Sequence, residues 1–298
     1  MTSSFDPERR FGGIRRLYGD KAFKRLQAAH VGVIGVGGVG SWAVEALARS
    51  GAGAITMFDL DHVAESNVNR QLHALDGNFG MAKVTAMQQR ILAINPACTV
   101  TAVEEFVTQD NLESMLDRGF DWLLDCADNF RVKAAIVAHC KRNKLRIITI
   151  GAAGGLTDPT SVKVADLSKT VQDPLLARTR KQLRQKYGFP RNLKRRFDIP
   201  CVCSEDQLTF YDDKGGVTQK KPVRRGASFS ALSCAGGIGS AMTVTATFGL
   251  VAVAHVLRRL TEKDATPSKS TRRNVHRKER GGDSSTSAKI GSSDKSSR

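Results

Sequence analysis

The chain has 298 residues, enough for one large α/β domain with a continuous core and far too many for a small disulfide scaffold. Lysine and arginine outnumber aspartate and glutamate 46 to 29, and the formal net charge of +17 points to a polyanionic partner, either nucleic acid or an anionic membrane surface. Six cysteines, Cys98, Cys126, Cys140, Cys201, Cys203 and Cys234, lack the dense spacing of a secreted framework, so a reducing, cytoplasmic compartment is expected, with a membrane-associated or organellar location as the alternative.

The first residues, MTSSFDPERRFGG, carry early acids and no apolar stretch, so neither a secretory signal nor a transit peptide is expected there. His30 to Ile34 is apolar and β-branched and runs into a glycine cluster. Trp42, Ala43, Ala46 and Leu47 then recur at helical spacing over Ser41 to Ser50, which reads as strand, tight turn, helix. Ala54 to Asp59 is the next strand. Lys83 to Ile94 reads as a helix stopped by Asn95-Pro96, Thr99 to Val103 and Trp122 to Cys126 as strands, Arg131 to Asn143 as a helix, and Arg146 to Ile150 as a strand. This alternation predicts the α/β class, a doubly wound, mostly parallel sheet of Rossmann-like type whose ligand crevice lies beyond the carboxyl ends of the strands.

Past Gly155 the pattern loosens into short strands, Ser161 to Ala165 and Leu208 to Tyr211, around a basic insertion. A helix follows from about Ser240 to Leu260. Its apolar stretch, Met242 to Leu257, is 16 residues long and is interrupted by Gly249 and His255. That is short of the roughly 20 residues that cross hydrocarbon, so a buried or dimer-interface helix is expected, with membrane attachment the lesser reading. From Glu262 on, ten basic and five acidic side chains lie in a Ser- and Gly-rich stretch without apolar periodicity, which is expected to be disordered. A formal +12 therefore belongs to the residues before it.

Gly35, Gly37 and Gly40, with Gly38 among them, form G-x-G-x-x-G between a strand and a helix, where backbone can approach a phosphate and the helix N-terminus favours an anion. Asp59 closes the second strand 19 residues after Gly40, where a carboxylate can accept from ribose hydroxyls. A nicotinamide enzyme would share both features. What separates the alternatives is FDLDHVAESNVNRQLH, with Asp59, Asp61, Asn67, Arg70 and Gln71, then Gly80-x-x-Lys83, then Asp125-Cys126-Ala127-Asp128-Asn129. These three segments, in this order, resemble the signature of the ubiquitin-activating-enzyme-like, sulfur-carrier-activating superfamily.

That resemblance spans roughly Arg10 to Leu260 and implies an ATP-dependent adenylating enzyme. Adenylation joins two anions, a carboxylate and ATP, so cations must offset the charge that builds on the phosphates, and Arg70 and Lys83 can supply it. Asp128, at a strand end, suits a magnesium ion bridging phosphate oxygens, and Asn67 suits the phosphate tail. The resemblance implies the same roles, with Asp59 on the ribose, and carries Asp61, Gln71 and Asn129 as further nucleotide-binding residues beside the glycines.

Paired C-x-x-C zinc motifs, frequent in enzymes that activate sulfur carriers, are absent from the sequence; Cys201-Val202-Cys203 is too tight to match them and reads as ordinary buried thiols. RFGGIRRLYGD, GVGGVGSWAVEALARSG, NRQLHAL, INPAC, GAAGGLTDPTSVKVADLSKTVQDPL and SCAGGIGSAMTVTATFGLVAVAHVL instead resemble the tRNA threonylcarbamoyladenosine dehydratases. This narrower resemblance implies that ATP adenylates the threonine carboxylate of a modified tRNA adenosine. An atom of the neighbouring carbamoyl group then closes a ring and releases AMP, a net dehydration. Activation of the C-terminus of a ubiquitin-like or sulfur-carrier protein is the alternative activity.

An RNA substrate suits the basic insertion, where Arg178, Arg180, Lys181, Arg184, Lys186, Arg191, Lys194, Arg195 and Arg196 make nine cations without an acid between them. Tyr187 and Phe189 among them can stack on an unpaired base, and Lys220, Lys221, Arg224 and Arg225 extend the patch. Cys234 precedes the last helix, whose N-terminus can lower a thiol pKa, and is a candidate catalytic or sulfur-accepting residue, with a small packed residue in a tight turn as the alternative. A homodimer is expected from the superfamily, and partners of a cysteine desulfurase relay are implied for some relatives. The expected organisation is an adenylating domain over 1–261, with a nucleotide-binding core at about 28–155, a basic RNA-facing part at about 156–238 and the apolar helix at about 240–260, then the basic tail, 262–298.

Overall fold

Asp6 caps the first helix by accepting hydrogen bonds from the amides of Glu8 and Arg9, and two short helices, α1 (Pro7–Tyr18) and α2 (Asp20–Ala28), precede the first strand. The computed structural model describes residues 5–212, 215–220 and 238–262. Strand and helix then alternate through β1 (His30–Ile34), α3 (Gly40–Arg49), β2 (Ala54–Phe58), α4 (Lys83–Ile94), β3 (Thr99–Val103), α5 (Leu112–Leu116), β4 (Trp122–Asp125), α6 (Phe130–Asn143) and β5 (Ile147–Ile150). The second half adds β6 (Val162–Asp166), α7 (Pro174–Lys186), β7 (Pro200–Ser204), a small hairpin of β8 (Phe210–Tyr211) and β9 (Val217–Thr218), and α8 (Met242–Thr261).

Seven strands form one sheet in the order β3-β2-β1-β4-β5-β7-β6, parallel throughout except for β6, which runs antiparallel to β7. After β1 the chain winds outward through β2 and β3, then returns to β4 on the other side of β1. The strand order reverses there, and a crevice opens between the carboxyl ends of β1 and β4.

Helices cover both faces. On one, Leu47 of α3, Met87 and Ile91 of α4, and Phe248 and Val256 of α8 pack with Val31 and Val33. On the other, Leu116 of α5, Ile136 of α6 and Leu183 of α7 pack with Ile34, Leu123 and Cys201. Each large apolar side chain buried in this way contributes about 1.5–3 kcal/mol.

Apolar burial decides the place of α8. At 20 residues it is long and apolar enough to cross a membrane, longer than the 16-residue stretch suggests because Arg258 and Arg259 continue the helix. Val244, Phe248, Val253, Val256, Leu257 and Leu260 are nevertheless buried against the sheet and α3. The buried-helix expectation therefore holds for that side, while Met242 and Leu250 face outward.

The strands and helices expected before Gly155 appear with ends displaced by a residue or so. Two later elements differ. Much of the basic insertion is the regular helix α7, started by Asp173, whose carboxylate accepts from the amide of Leu176, and by Pro174 in the first turn. Leu176, Thr179 and Leu183, at helical spacing, form its buried face. The Cys201–Cys203 segment, for which no strand was expected, is β7 beside β5, and both thiols are buried as the sequence reading expects. Lys221, Arg224, Arg225, Cys234, Gly236, Gly237 and the tail from 263 lie outside the described residues.

Candidate active site

The glycine turn joins β1 to α3 at the strand-order reversal. Gly35 has φ of 85°, and a Cβ on Gly40 would collide with the carbonyl oxygen of Gly35, so the turn closes only with hydrogen at that position. Asp59, the residue after β2, holds the turn from the side: its Oδ2 accepts from the Val36 amide at 2.6 Å and its Oδ1 from the Asp61 amide at 2.9 Å. Burial raises its pKa above the ordinary carboxylate value, against the pull of nearby Lys83 and those two amides.

Arg70 and Gln71 lie directly on the glycine turn. The Arg70 Cγ is 3.2 Å from the position a Gly38 Cβ would take, the Gln71 Nε2 is 3.9 Å from that of Gly37, and the Trp42 indole of α3 donates to the Arg70 carbonyl at 3.0 Å. The Arg70 guanidinium donates to the Ser66 carbonyl at 2.8 Å and to Asn69 Oδ1 at 2.9 Å, and among the described residues no carboxylate neutralises it. Asn67 is buried; its Oδ1 accepts from the Ala64 amide at 3.1 Å, and its carbonyl accepts from the amides of Arg70 and Gln71. It thereby shapes the turn that presents both side chains.

Lys83, at the start of α4, is 5% exposed and donates to Asp61 Oδ2 at 2.7 Å. Its amide also donates to the Asp61 carbonyl, so the Asp59–Asp61 turn and the first residue of α4 are one unit. The carboxylate it holds is exposed and Lys83 also acts on Asp59, which carries its ammonium to the same crevice. His73 was not anticipated. It is buried, the proximity of Lys83 adds to desolvation, and its pKa falls to about 4, so the ring is neutral at physiological pH. Among the described residues neither ring nitrogen of His73 has a partner, and neither does the buried Gln71 Oε1. A lone histidine in NRQLHAL carries no sequence signal that separates it from a packed residue.

Across the crevice, Asp128 is exposed just beyond β4, and among the described residues its carboxylate has no hydrogen bond or ion pair. The neighbouring Asn129 is committed to structure: its Oδ1 caps α6 by accepting from the amides of Arg131 and Val132 at 2.9 and 3.4 Å. Beneath the loop, Asp125 and Lys133 form an ion pair with no exposed side-chain surface. A lone lysine among apolar residues in VKAAIVA was a legible sign of it.

The basic residues divide. Arg180, Lys181, Arg184 and Arg191 line, with Ala177 and Gln185, an open concavity of about 480 Å³ along α7. Burial lowers the pKa of Arg180, and neighbouring Arg184 lowers it further, so these two cations repel. Arg180 also donates to Thr170 Oγ1, and Arg184 to the Pro190 carbonyl at 3.2 Å. Lys186, Lys194 and Arg195 are exposed. Arg178 lies over the Phe130 ring, and Arg196 approaches Asp166 at 3.5 Å. The stretch without acids in sequence thus meets one in space, because β6 brings Asp166 alongside. Phe189 packs edge-on against Phe197 and is half-buried with Tyr187, so the Phe189 ring is engaged inside the fold.

A mostly parallel sheet with a glycine turn at the order reversal, and with Asp59 closing the neighbouring strand, defines a nucleotide-binding α/β protein. Residues 12–296 match the ThiF family, to which the chain belongs. It is 48% identical over 257 residues to the tRNA threonylcarbamoyladenosine dehydratase of Haemophilus influenzae, covering 86% of this chain and 95% of that protein. The Escherichia coli enzyme of the same name is 47% identical over 256 residues, again covering 86% and 95%. A crystal structure of the E. coli dehydratase in complex with ATP superimposes with a TM-score of 0.76 at 43% identity, covering 89% of this chain and 99% of that one.

Proposed function

We propose that the protein is an ATP-dependent tRNA threonylcarbamoyladenosine dehydratase, working through an acyl-adenylate. The observation that carries this reading is the grouping of Arg70 and Gln71 on the glycine turn with Asp59, which holds the Val36 amide, and Lys83, which acts on Asp59, while the backbone of Cys126 and Ala127, just before Asp128, packs against Gly35. Asp59, already holding the Val36 amide, keeps lone pairs for a ribose hydroxyl. Arg70, held among the described residues by a carbonyl and an amide oxygen, is the cation most able to stabilise charge growing on the phosphates; Lys83 adds a second once its exposed Asp61 partner yields. The orphaned Gln71 Oε1 and neutral His73 suit hydrogen bonding to a bound group better than to an empty core.

Among the described residues no three His, Cys, Asp or Glu side chains gather as a metal cage. A solitary carboxylate such as Asp128 fits magnesium, which takes most of its ligands from phosphates and water. When bound, the ion offsets phosphate charge as pyrophosphate leaves. The threonine carboxylate oxygen attacks the α-phosphorus of ATP. An atom of the adjacent carbamoyl group then attacks the activated carbonyl, and AMP departs with the oxygen that the dehydration removes. The second step is intramolecular, so effective molarity favours it and no protein nucleophile is needed. The concavity along α7 supplies the phosphate-contacting surface for the tRNA. A second copy of the chain belongs to the same reading, and exposed Val68, Met242 and Leu250 offer it apolar surface.

Arg70→Ala tests the assignment. The substitution is expected to lower tRNA-dependent ATP–pyrophosphate exchange by about 100-fold or more, the scale of losing one transition-state charge partner, while tRNA affinity measured by filter binding stays within twofold. Exchange that persists in the variant, or that responds to a small β-grasp protein and ignores the modified tRNA, contradicts it.

A further inference from the structure

Lys133 is the largest buried polar side chain the reading above does not use. It stands four residues after the Asn129 cap, on the first turn of α6, and its ammonium spends all three protons. They go to the Asp125 carbonyl at 2.9 Å, to Asp125 Oδ2 at 2.9 Å and to Thr149 Oγ1 of β5 at 3.3 Å. The Thr149 hydroxyl donates in turn to Asp125 Oδ2 at 2.7 Å. The other carboxylate oxygen, Oδ1, accepts from the Ala127 amide at 3.2 Å. Every oxygen of Asp125 is therefore held, and the last of these bonds sets the direction in which the chain leaves β4.

An ion pair of this kind is a poor device for stability. Desolvating two charges costs about as much as their attraction returns, and apolar pairs of similar volume commonly replace them without loss. Here the pair sits at the meeting point of β4, β5 and α6, directly beneath Cys126–Asn129, and the only part of the loop with an exposed, unengaged carboxylate is Asp128. Other charged groups near Lys133 do not compete for it. Asp173 is within electrostatic range, but its oxygens accept from the amides of Ala152 and Leu176 at 2.9 Å each.

We propose that Lys133, Asp125 and Thr149 are positioning residues that lock the loop after β4 so that Asp128 faces the glycine turn and receives the metal-bound nucleotide. The inference rests on the nucleotide-site reading above and adds to it a buried support that touches neither nucleotide nor substrate. It separates folding from positioning: an apolar replacement should keep the first and lose the second.

The variant Asp125→Leu/Lys133→Met removes both charges of the pair at once. Its melting temperature is expected within a few degrees of the parent. Its affinity for ATP in magnesium, measured by titration calorimetry without tRNA, should fall at least 10-fold, whereas affinity for ATP in EDTA changes less than threefold. Thr149→Val, which removes one hydroxyl, is expected to show the same magnesium-selective loss at 3- to 10-fold and serves if the double variant does not fold. Unchanged magnesium-ATP affinity in a folded variant, or equal losses with and without magnesium, overturns the proposal. Parent protein that binds magnesium-ATP but leaves the modified tRNA unchanged would instead refute the functional reading and spare this inference.

Discussion

Arg70 and Lys83 carry the same charge into the crevice but begin from different states. Arg70 is oriented by two neutral oxygens, and Lys83 is held by a carboxylate. Its neighbour His73 reports on the same environment. A folded-state pKa of about 4 lies below the ordinary histidine value of about 6.5, so the unfolded chain binds the proton more readily. The stability that the neutral ring contributes is present above pH 6.5 and is lost as pH falls toward 4, by on the order of 3 kcal/mol across that window. Thermal melts between pH 7 and 4 are expected to decline less steeply for His73→Leu than for the parent. Identical slopes would show that the ring does not titrate in this way. The placement of Asp59, Arg70 and Lys83 around the glycine turn could be anticipated because it follows from motif spacing. His73 and the capping duty of Asn129 depend on which neighbours burial brings within reach, and a motif does not encode that, whereas Lys133 is marked only by its apolar neighbours in VKAAIVA.

Helix placement follows the same divide. α3, α4 and α6 were legible because apolar spacing is flanked by glycine or a capping residue. α7 was not, because its buried line of Leu176, Thr179 and Leu183 is thin against a surplus of arginine and lysine. Arg10 donates to the carbonyls of Ala93 and Ile94 at the end of α4, and Arg25 to those of Leu260 and Thr261 at the end of α8, so the N-terminal helices close two helix ends of the core. α8 in turn braces the glycine turn: a Cβ on Gly249 would lie 2.6 Å from the Val39 carbonyl oxygen and 2.9 Å from the Ala43 nitrogen. Backbone must move to admit it. Gly249→Ala is expected to lower stability by about 1–3 kcal/mol, more than alanine's helical preference restores. Gly13→Ala in α1, where no heavy atom lies within 4 Å, is expected to gain about 0.5–1 kcal/mol. Denaturant unfolding of both variants checks the pair, and the same sign for both would contradict the packing account.

Across the molecule, the formal charge of +17 is arranged so that one part serves the fold and another remains for a polyanion. Arg196 approaches Asp166 and Arg178 stacks on Phe130, whereas Lys181, Arg184 and Arg191 face the concavity along α7. Replacing these three by glutamine is expected to weaken tRNA binding and to reduce the slope of log affinity against log salt by about two to three, one contribution per phosphate released. An unchanged slope would place the RNA elsewhere. The central claim concerns a different event, the joining of ATP to a carboxylate on that RNA. Its most direct test is the mass of the nucleoside recovered after the protein acts on threonylcarbamoyladenosine-bearing tRNA with ATP and magnesium. The account predicts loss of one water, dependent on ATP and accompanied by AMP; a nucleoside of unchanged mass, with the protein folded and ATP bound, would contradict it.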